Sequence, residues 1–524
     1  MRILLKTALS YLVVVVGLPY MACSGTEPQA PALTGVTAFE GARLISGDGS
    51  APIEDSVFIV EKDRFTEVGR RVEVEVPAGV VRVDLTGKTV MPAKVDMHGH
   101  LGFENVVAGT TAGENFTREN LIDHLERFAY MGYSGVVSIA DRVEREVMPG
   151  DTWDVFQKQG RLDEDQKNRQ VQGRALAGKR EGVPPIGTRW PWGDVPLRVR
   201  DEVIPNAALF KTAGPAISWP GAGAQGHASR NAVPYGVTTV EEARHAVQDY
   251  VKMRPAFIKI WLDDRDGALR KLTPPLYEAI IDEARALGVS VVAHTVTLED
   301  AKGLYRAGLV GAVHAPVRDD NPMYGDKELL AIIRERSAKA GDEPLWFVEP
   351  GITDAIAPEA FDDPLLSELL SPDQVQALRA SVKNRTSESL ARAREEGHAK
   401  SEEARKLIDA GMLLVFGSDN GSAGRGFGWM EQMKAESWVT GGNFTPMEAI
   451  VMWTRDSARI AKMNTGMVER GRSADFIVLD ANPLEDIANT RRINRVYLRG
   501  DEVDRAGLRA KWQAQWKALP TTTQ

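Results

Sequence analysis

The sequence feature that most constrains the fold is a short apolar run that ends in two histidines. Residues 95–100 read Val-Asp-Met-His-Gly-His, so His98 and His100 are two positions apart. Alternate residues of an extended strand point to the same side, and both imidazoles can therefore reach one metal ion from a single strand end. An isolated His-x-His is more simply explained as two surface histidines, so the rest of the chain decides between these interpretations.

Four further apolar runs each deliver one ionisable residue that could stand at a common rim. Lys259 lies within Phe-Ile-Lys-Ile-Trp, His294 ends Val-Val-Ala-His, His314 ends Gly-Ala-Val-His, and Asp419 ends Leu-Val-Phe-Gly-Ser-Asp. A closed parallel barrel brings strand ends of this kind around one point. The five runs together therefore favour a metal site over scattered surface residues.

The regular alternation of apolar runs and helical patterns predicts an α/β protein whose core is a (β/α)8 TIM-type barrel. Eight strand candidates carry this prediction: 94–98, 135–140, 207–212, 257–262, 289–294, 311–315, 345–349 and 413–417. Short strands at both ends of the chain predict a small β-sandwich domain formed by both termini. We therefore divide the chain into 1–23 signal peptide with a lipobox-like end, 24–33 tether, 34–91 first part of the sandwich, 92–460 barrel, 461–503 second part and 504–524 C-terminal helix.

Two connections are longer than a simple crossover helix. Residues 144–205 contain three tryptophans, and residues 354–411 are charged and helical in pattern. Long insertions at barrel mouths shape a substrate pocket or a lid, whereas surface decoration or oligomer contacts are the equal alternative. A homo-oligomer is thus left open.

The N-terminus has the pattern of an export signal. Arg2 and Lys6 precede an apolar run at 8–22, which is too short to span a bilayer, and the only cysteine, Cys23, follows it. A lone cysteine at this place resembles the end of a bacterial lipobox and predicts lipidation, although Tyr20 stands where a lipobox usually has leucine. A soluble secreted or uncleaved N-terminus is the alternative. We expect an exported protein, periplasmic or held in the bacterial cell envelope by a lipid anchor.

The net charge of -9 argues against a nucleic-acid partner and leaves a small-molecule substrate as the expected ligand.

Lys259 is the most informative residue for the chemistry. It shares one strand face with Phe257 and Trp261, which turns it toward the barrel interior, where a charged amine is costly. A neutral amine can add carbon dioxide, and the resulting carbamate can bridge two cations; a buried Lys–Asp ion pair is the alternative.

The remaining candidates divide between two metal ions. His294 and His314 would supply neutral nitrogen ligands to one cation, and Asp419 would lie beside the first strand and contact the other. Asp419 is the predicted general base, taking a proton from the bridging water or hydroxide and passing it to the leaving group. Asp96 shares the facing of His98 and is a candidate to orient it, or alternatively a structural carboxylate.

Taken in order, residues 91–100, Lys259, His294, His314 and Asp419 resemble the motif set of the amidohydrolase superfamily, and residues 471–486 resemble its closing strands. The Ile-Lys-Ile context and the Gly-His pair ending at His227 are similar to its imidazolonepropionase-like and prolidase-like branch. The resemblance implies two zinc ions per chain, bridged by a carbamylated Lys259. It also implies His98, His100 and Asp419 on one zinc, and His294 and His314 on the other.

This chain departs from the superfamily pattern at Ala93-Lys94, Thr295, Ala315 and Ser418, none of which is a ligand. The departures bear on the substrate and not on the metals. Candidate substrate contacts are His227, Arg230, Arg318 and Trp261. A surface loop histidine is the equal alternative for His227, and ordinary exposed arginines are the alternative for Arg230 and Arg318. The other histidines, His124, His245 and His398, fall in charged helical patterns and are expected to be solvated.

These observations predict a binuclear zinc hydrolase that cleaves an amide bond of a dipeptide or an N-acyl amino acid. A lactone or phosphoester hydrolase using the same site is the first alternative. A non-catalytic binding lipoprotein is the second, although a scaffold has no need of an inward lysine.

Overall fold

The computed structural model of the chain describes residues 35–111, 115–139, 194–219, 235–264, 267, 270–313, 325–348, 355–420 and 426–518. Within these ranges, none of the helices has both the length and the apolar composition needed to cross a lipid bilayer. Strands and helices alternate through most of the described chain, which is an α/β protein.

The strands are β1 Val36–Leu44, β2 Ile53–Glu61, β3 Arg64–Arg70, β4 Val81–Asp84, β5 Thr89–Pro92, β6 Lys94–Gly99, β7 Glu104–Asn105, β8 Thr110–Thr111, β9 Tyr133–Ser138, β10 Leu209–Thr212, β11 Ile217–Ser218, β12 Tyr235–Gly236, β13 Ile258–Leu262, β14 Val291–Thr295, β15 Gly311–Ala312, β16 Trp346–Val348, β17 Leu413–Val415, β18 Phe476–Leu479, β19 Ile493–Leu498 and β20 Asp501–Glu502.

The α-helices are α1 Arg118–Tyr130, α2 Asp194–Arg200, α3 Val240–Val251, α4 Pro274–Ala286, α5 Leu298–Ala307, α6 Lys327–Ser337, α7 Pro364–Leu369, α8 Pro372–Ser381, α9 Ser387–Asp409, α10 Trp429–Thr440, α11 Pro446–Val451, α12 Ser457–Ile460 and α13 Arg505–Lys517. A π-helical turn, Met452–Asp456, joins α11 to α12, and 3-10 turns cover Pro358–Asp362 and Ile487–Arg491.

Threonine and aspartate side chains fix where several of these helices begin. Thr117 accepts a hydrogen bond from the amide of Asn120 at the start of α1, and Thr297 does the same for the amide of Asp300 at the start of α5. A side-chain oxygen at this position satisfies an amide that has no partner inside the helix. The local sequence therefore sets the boundaries of the helices that flank the strands.

Both ends of the chain contribute strands to one eight-stranded sheet. Its order is β20-β19-β18-β5-β1-β2-β3, with β4 paired to β1, and β18 pairs antiparallel with β5. Aromatic side chains pack on it; Phe39, for example, stacks on Phe58 at 5.0 Å between ring centroids and meets Phe476 edge-on at 5.1 Å. The hydrogen bonding describes one continuous sheet, and its arrangement as a two-layered sandwich stays a prediction.

Two parallel sheets lie between the terminal strands, one of order β10-β9-β6 and one of order β12-β11-β13-β14-β15-β16-β17. Each of the eight predicted strand segments overlaps one strand of these sheets, namely β6, β9, β10 and β13 to β17. Their inward side chains form one apolar cluster that includes Val95, Met97, Val137, Phe257 and Val292. The short apolar runs of the sequence thus form a shared core.

Backbone contacts also link the two parallel sheets. The amide of Met97 donates to the carbonyl of Phe416 at 3.0 Å, and Gly99 forms a parallel bridge with Asn420. At the other side, the amide of Ala256 donates to the carbonyl of Thr212 at 2.8 Å. The end of β17 therefore lies beside β6, as the sequence interpretation of Asp419 requires.

A register irregularity in β6 changes where its histidines point. Asp96 pairs with Val136 but Gly99 pairs with Ser138, so β6 carries one extra residue between these pairs. Val95 and Met97 belong to the inward apolar cluster, whereas Asp96 faces away from it. A bulge of this kind re-aims the following side chains, so His98 does not share the facing of Asp96 that strict alternation predicted.

The C-terminal helix α13 packs as its pattern predicted. Leu508 and Trp512 are buried, and the Trp512 indole nitrogen donates to the carboxylate of Asp123 on α1 at 2.8 Å. Trp516 packs against the same core from its edge. The helix thus joins the terminal sheet to the first helix of the parallel-strand region.

Candidate metal centre

Three side chains converge at the junction of β6 and the segment that follows β17. One ligand atom each from His98, His100 and Asp419 lies within 4.8 Å of the other two. The Asp419 carboxylate oxygen Oδ1 is 3.1 Å from His100 Nε2 and 3.9 Å from His98 Nε2. Both histidines are fully buried, and Asp419 retains 18 % of its side-chain exposure. Two imidazoles and a carboxylate are ligands that suit Zn²⁺.

Backbone hydrogen bonds fix this group before any ligand is considered. The Asp419 amide donates to the carbonyl of His98 at 2.6 Å, and the His100 amide donates to the carbonyl of Asn420 at 2.5 Å. Asp419 itself has φ of +52°, in the left-handed region that few non-glycine residues adopt. Such a backbone is held by its surroundings and is typical of functional positions.

Asp96 ties the two ligand-bearing strands together through their backbones. Its carboxylate accepts the amide of His98 at 2.8 Å and the amide of Ser418 at 3.2 Å. The sequence leaves two roles open for Asp96, orientation of the His98 ring or a structural carboxylate. The structure instead has it bonded to the main chain on both sides of the centre, so it positions His98 and Asp419 through their backbones.

Lys259 is completely buried on β13, and among the described residues its ammonium nitrogen has no hydrogen-bond partner. That nitrogen lies 5.2 Å from the centre of the Trp261 ring. Burial lowers the pKa of Lys259 to about 7, although the Asp419 carboxylate acts in the opposite direction. A buried amine that readily loses its proton fits the carbamate chemistry predicted from the sequence.

His294 stands beside Lys259 on the neighbouring strand. β13 and β14 are parallel, with Lys259 opposite Val292 and Trp261 opposite His294. The Trp261 and His294 rings stack at 4.5 Å between centroids and 15° between planes. Trp261, a candidate substrate contact, therefore also supports a candidate ligand.

The sequence reasoning missed Asp263, which is buried immediately after β13. Its carboxylate Oδ2 is 3.5 Å from His294 Nε2. The sequence spacing could have identified it. Lys259, Trp261 and Asp263 are two residues apart, so all three point to the same side if the strand is extended by one residue beyond Leu262. Asp263 adds a second carboxylate to this end of the strands.

The structure does not test four of the predicted site residues. His314, His227, Arg230 and Arg318 all lie outside the described residues. Their assignments stay predictions. Of the described candidates, His98, His100 and Asp419 form one cluster, and Lys259 and His294 lie on the neighbouring strands β13 and β14.

The prediction that His124 is solvated is wrong. This α1 residue is fully buried; its Nδ1 accepts the Gly102 amide at 3.1 Å, and its Nε2 lies 2.7 Å from the Glu104 carbonyl. Burial lowers the pKa of His124 to about 4, so the ring is neutral and holds the loop that follows His100. His245 and His398 are exposed, as predicted.

A second group of buried ionisable side chains lies behind β6, on the side facing α10. Burial raises the pKa of Glu431 well above its usual range, and the neighbouring Asp96 carboxylate adds to the effect. Lys94 is buried with its nitrogen 4.6 Å from the ring centres of both Tyr133 and Trp453, and burial lowers its pKa to about 7. Position 94, where the chain departs from the superfamily pattern, thus carries a buried lysine packed on two aromatic rings.

Comparison with known sequences and structures places these observations in context. The sequence profile described as "Amidohydrolase family" matches residues 229–503, which is more than half of the chain. No match was found among curated proteins.

Solved structures share the fold at low sequence identity. A molinate hydrolase is 20 % identical with a TM-score of 0.61, over 93 % of this chain and 98 % of that one. A Xaa-Pro dipeptidase with bound methionine is 17 % identical with a TM-score of 0.58, over 89 % and 99 %. A prolidase complexed with N-methylphosphonate-L-proline is 21 % identical with a TM-score of 0.55, also over 89 % and 99 %. These likenesses establish a TIM-barrel-like α/β fold.

Proposed function

We propose that this chain, which belongs to the amidohydrolase family and is a metal-dependent hydrolase of amide bonds, cleaves a dipeptide or an N-acyl amino acid at a binuclear zinc centre. The observation that carries the proposal is the convergence of His98, His100 and Asp419 beside a buried, unpaired Lys259 in the described part of the chain. The dipeptidase and prolidase among the structural neighbours support a peptide-like substrate.

Each candidate ligand has a proposed place. His98, His100 and Asp419 would hold one zinc ion, His294 and His314 the other, and Lys259 would bridge them as a carbamate. The donor set supports this assignment, because His98 and His100 are buried and burial lowers the pKa of Lys259 to about 7. The bound zinc ions would acidify a water molecule and polarise the scissile carbonyl.

Asp419 is the proposed general base. Its carboxylate is partly exposed while His98 and His100 are buried, so Asp419 is the member of the group that solvent and substrate can reach. It would accept a proton from the attacking water and deliver it to the departing nitrogen. The left-handed backbone of Asp419, and the hydrogen bond that its amide donates to the His98 carbonyl, keep the carboxylate in place for both transfers.

On the substrate side, we propose that His227, Arg230 and Arg318 contact the carbonyl and carboxylate of the substrate. Arginine binds a carboxylate through two parallel hydrogen bonds, which suits a substrate with a free C-terminus. Trp261 would form an apolar wall, since its ring already covers His294. Replacing each arginine by lysine should raise the KM for a dipeptide with little change in kcat.

We also propose that the eight parallel strands close into a (β/α)8 barrel and that the terminal strands form a two-layered sandwich beside it. The bonds from Met97 to Phe416 and from Ala256 to Thr212 support closure at the two junctions between the parallel sheets. The proposed division is 34–91 with 461–503 for the sandwich, 92–460 for the barrel and 504–524 for the terminal helix. An experimental structure of the full chain tests both arrangements.

For the cell, we propose an exported lipoprotein anchored through Cys23, with residues 24–33 as the tether. The basic and apolar pattern before Cys23 supports the proposal. Mass spectrometry of the mature N-terminus tests it: a diacylglyceryl-modified Cys23 is expected, and Cys23→Ser should release the protein from membranes. An unmodified N-terminus beginning elsewhere would contradict the anchor.

A substrate panel tests the function. Purified protein with zinc should hydrolyse N-acyl amino acids or dipeptides, and removal of metal by a chelator should abolish turnover. Faster turnover of lactones or phosphoesters would favour the first alternative. Binding without turnover of any member of the panel would favour a non-catalytic lipoprotein. Two zinc ions per chain, and the added mass of carbon dioxide on Lys259, are the expected composition.

A further inference from the structure

A cavity of about 610 Å³ lies at the opposite ends of the parallel strands from the metal centre. Its wall includes Leu209 at the start of β10, Ala256 just before β13 and Val289 just before β14. His294 lies near the other end of β14, five residues from Val289 and about 16 Å away along an extended strand. The cavity is therefore a separate site with the volume of a small-molecule pocket.

One side of the cavity is apolar and belongs to the core between the strands. Leu209, Ile460, Ala461 and Met463 line it, and all four pack in the apolar cluster that also holds Phe257. An apolar wall of this kind can bury the hydrocarbon part of a ligand, which is favourable in proportion to the area removed from water.

The rest of the wall is charged, with an excess of cations. Among the described lining residues, six are cationic and three are acidic. Four of the cations have partners of their own. Arg200 and Arg254 contact the Asp201 carboxylate, Arg64 donates to the Gly471 carbonyl, and Arg499 donates to the carbonyls of Ile204 and Ala207.

The other two cations, Lys211 and Lys462, differ from these four. Within the described chain, neither forms an ion pair with a carboxylate, and the Lys211 ammonium donates only to the backbone carbonyl of Lys462, at 3.3 Å. Burial and the neighbouring Lys462 lower the pKa of Lys211. Two adjacent lysines without counter-charges, on the rim of an apolar cavity, are placed to receive an anion.

We propose that this cavity binds a small organic monoanion, a carboxylate carried on an apolar body, with the carboxylate between Lys211 and Lys462 and the hydrocarbon against Leu209 and Met463. An amine with the same apolar body carries a positive charge, which the two lysines would repel. Inorganic phosphate satisfies the lysines but leaves the apolar wall uncovered. The site thus requires both features in one molecule.

Calorimetric titration of the full chain with sodium hexanoate tests the proposal. Saturable binding is expected for hexanoate, none for hexylamine, and at least tenfold weaker binding for inorganic phosphate. Lys211→Met and Lys462→Met should each weaken hexanoate binding about tenfold, because a hydrogen bond to a charged group is lost. Lys383→Met, which removes an exposed lysine outside the cavity, should leave it unchanged.

Two further measurements separate the cavity from the metal centre and from general damage to the fold. Hexanoate should bind equally to zinc-loaded and chelator-treated protein, and Lys211→Arg should retain binding with an unchanged thermal midpoint. The proposal is overturned if hexanoate does not bind saturably, if Lys211→Met binds it normally, or if chelation abolishes binding. The last result would place the anion at the metals and would leave the hydrolase proposal intact.

Discussion

The two halves of the candidate metal centre are built in different ways. His98, His100 and Asp419 are joined by backbone hydrogen bonds between neighbouring strands, and Asp96 accepts amides from both sides of the junction. Lys259 and His294 also stand on paired strands, β13 and β14, but their side chains are held mainly by contacts with the Trp261 ring, which stacks on His294 and lies 5.2 Å from the Lys259 nitrogen.

The two halves therefore differ in what holds their candidate ligands in place. The first half is fixed by the main chain, so its geometry is set once the strands pair. The second half contains a buried amine with no hydrogen-bond partner among the described residues, and the proposed carbamate and metal ions would supply the missing partners. We therefore expect substitutions to affect activity, metal content and stability differently in the two halves.

The largest expected effect is on turnover in the first half. Asp419→Asn removes the general base but keeps an oxygen that can contact a metal, so kcat should fall about 1,000-fold while zinc content stays at two per chain. Steady-state kinetics and metal analysis on the same preparation check this. Normal turnover of the variant would remove Asp419 from the proposed role.

In the second half, Lys259→Met should separate activity from stability. Loss of the bridge should reduce kcat by about 100-fold or more, since a bound metal contributes several kcal/mol to the reaction, and zinc content should fall toward one per chain. The metal-free variant should nevertheless be more stable to urea by about 1–3 kcal/mol, because an unpaired buried amine is removed. Loss of both zinc ions would show that the first half cannot hold metal alone.

The loop that follows His100 should make the first half sensitive to acid. The pKa of His124 is about 4 in the folded protein and 6.5 when unperturbed, so the unfolded chain binds its proton first as pH falls. Stability is therefore full above pH 6.5 and should decline by about 3 kcal/mol between pH 6.5 and 4.

Urea unfolding of wild type and His124→Gln across this range measures the contribution. The difference in stability between the two proteins should shrink as pH falls, whereas His245→Gln, at an exposed site, should follow the wild type throughout. A constant difference between wild type and His124→Gln would show that His124 is not neutral in the folded state.

Asp96 tests whether the backbone holds the first half. Asp96→Ala leaves the amides of His98 and Ser418 without an acceptor, and zinc affinity should weaken about tenfold, as for other residues that support metal ligands. Glu431→Gln is the matched control: burial raises the pKa of Glu431, so a neutral amide resembles its folded form. Equal losses from both variants would mean that the buried charges act as one unit.

The smallest effect is expected for Trp261→Leu, which keeps apolar bulk but removes the stacked ring from His294. An aromatic pair of this kind contributes about 0.5–1.5 kcal/mol, so kcat/KM should fall only a few-fold. Zinc titration should show the change at one of the two metals. No change in affinity at either metal would show that the stack is incidental.

Much of the parallel-strand region could be predicted from the sequence, because an apolar run that ends in an ionisable residue can be recognised from a few neighbouring residues. Each predicted segment of the parallel core overlaps a strand, and Asp419 does lie beside His98. The bulge in β6 left no signal, because a register shift depends on the partner strand. Strict alternation therefore gave His98 and Asp96 the same facing.

The burial of His124 on the charged helix α1 could not be predicted from the neighbouring sequence either. His124 was assigned to a solvated face because Asp123 and Arg127 are near it in the sequence. In the structure these two charges form an ion pair under Trp512, which comes from the far end of the chain. Contacts between segments this distant are decided by tertiary packing, and the neighbouring residues give no indication of them.

The pairing of β5 with β18 sets an order of events during synthesis. Val90 lies opposite Val478, so nearly four hundred residues must be synthesised before β5 can pair with β18. This takes about 20–80 s at ribosomal speeds of roughly 5–20 residues per second. During that interval β5 has an uncovered edge, which other chains can join. A chain interrupted before residue 476 should therefore aggregate, and the cell would need to shield the early strands until the last ones emerge.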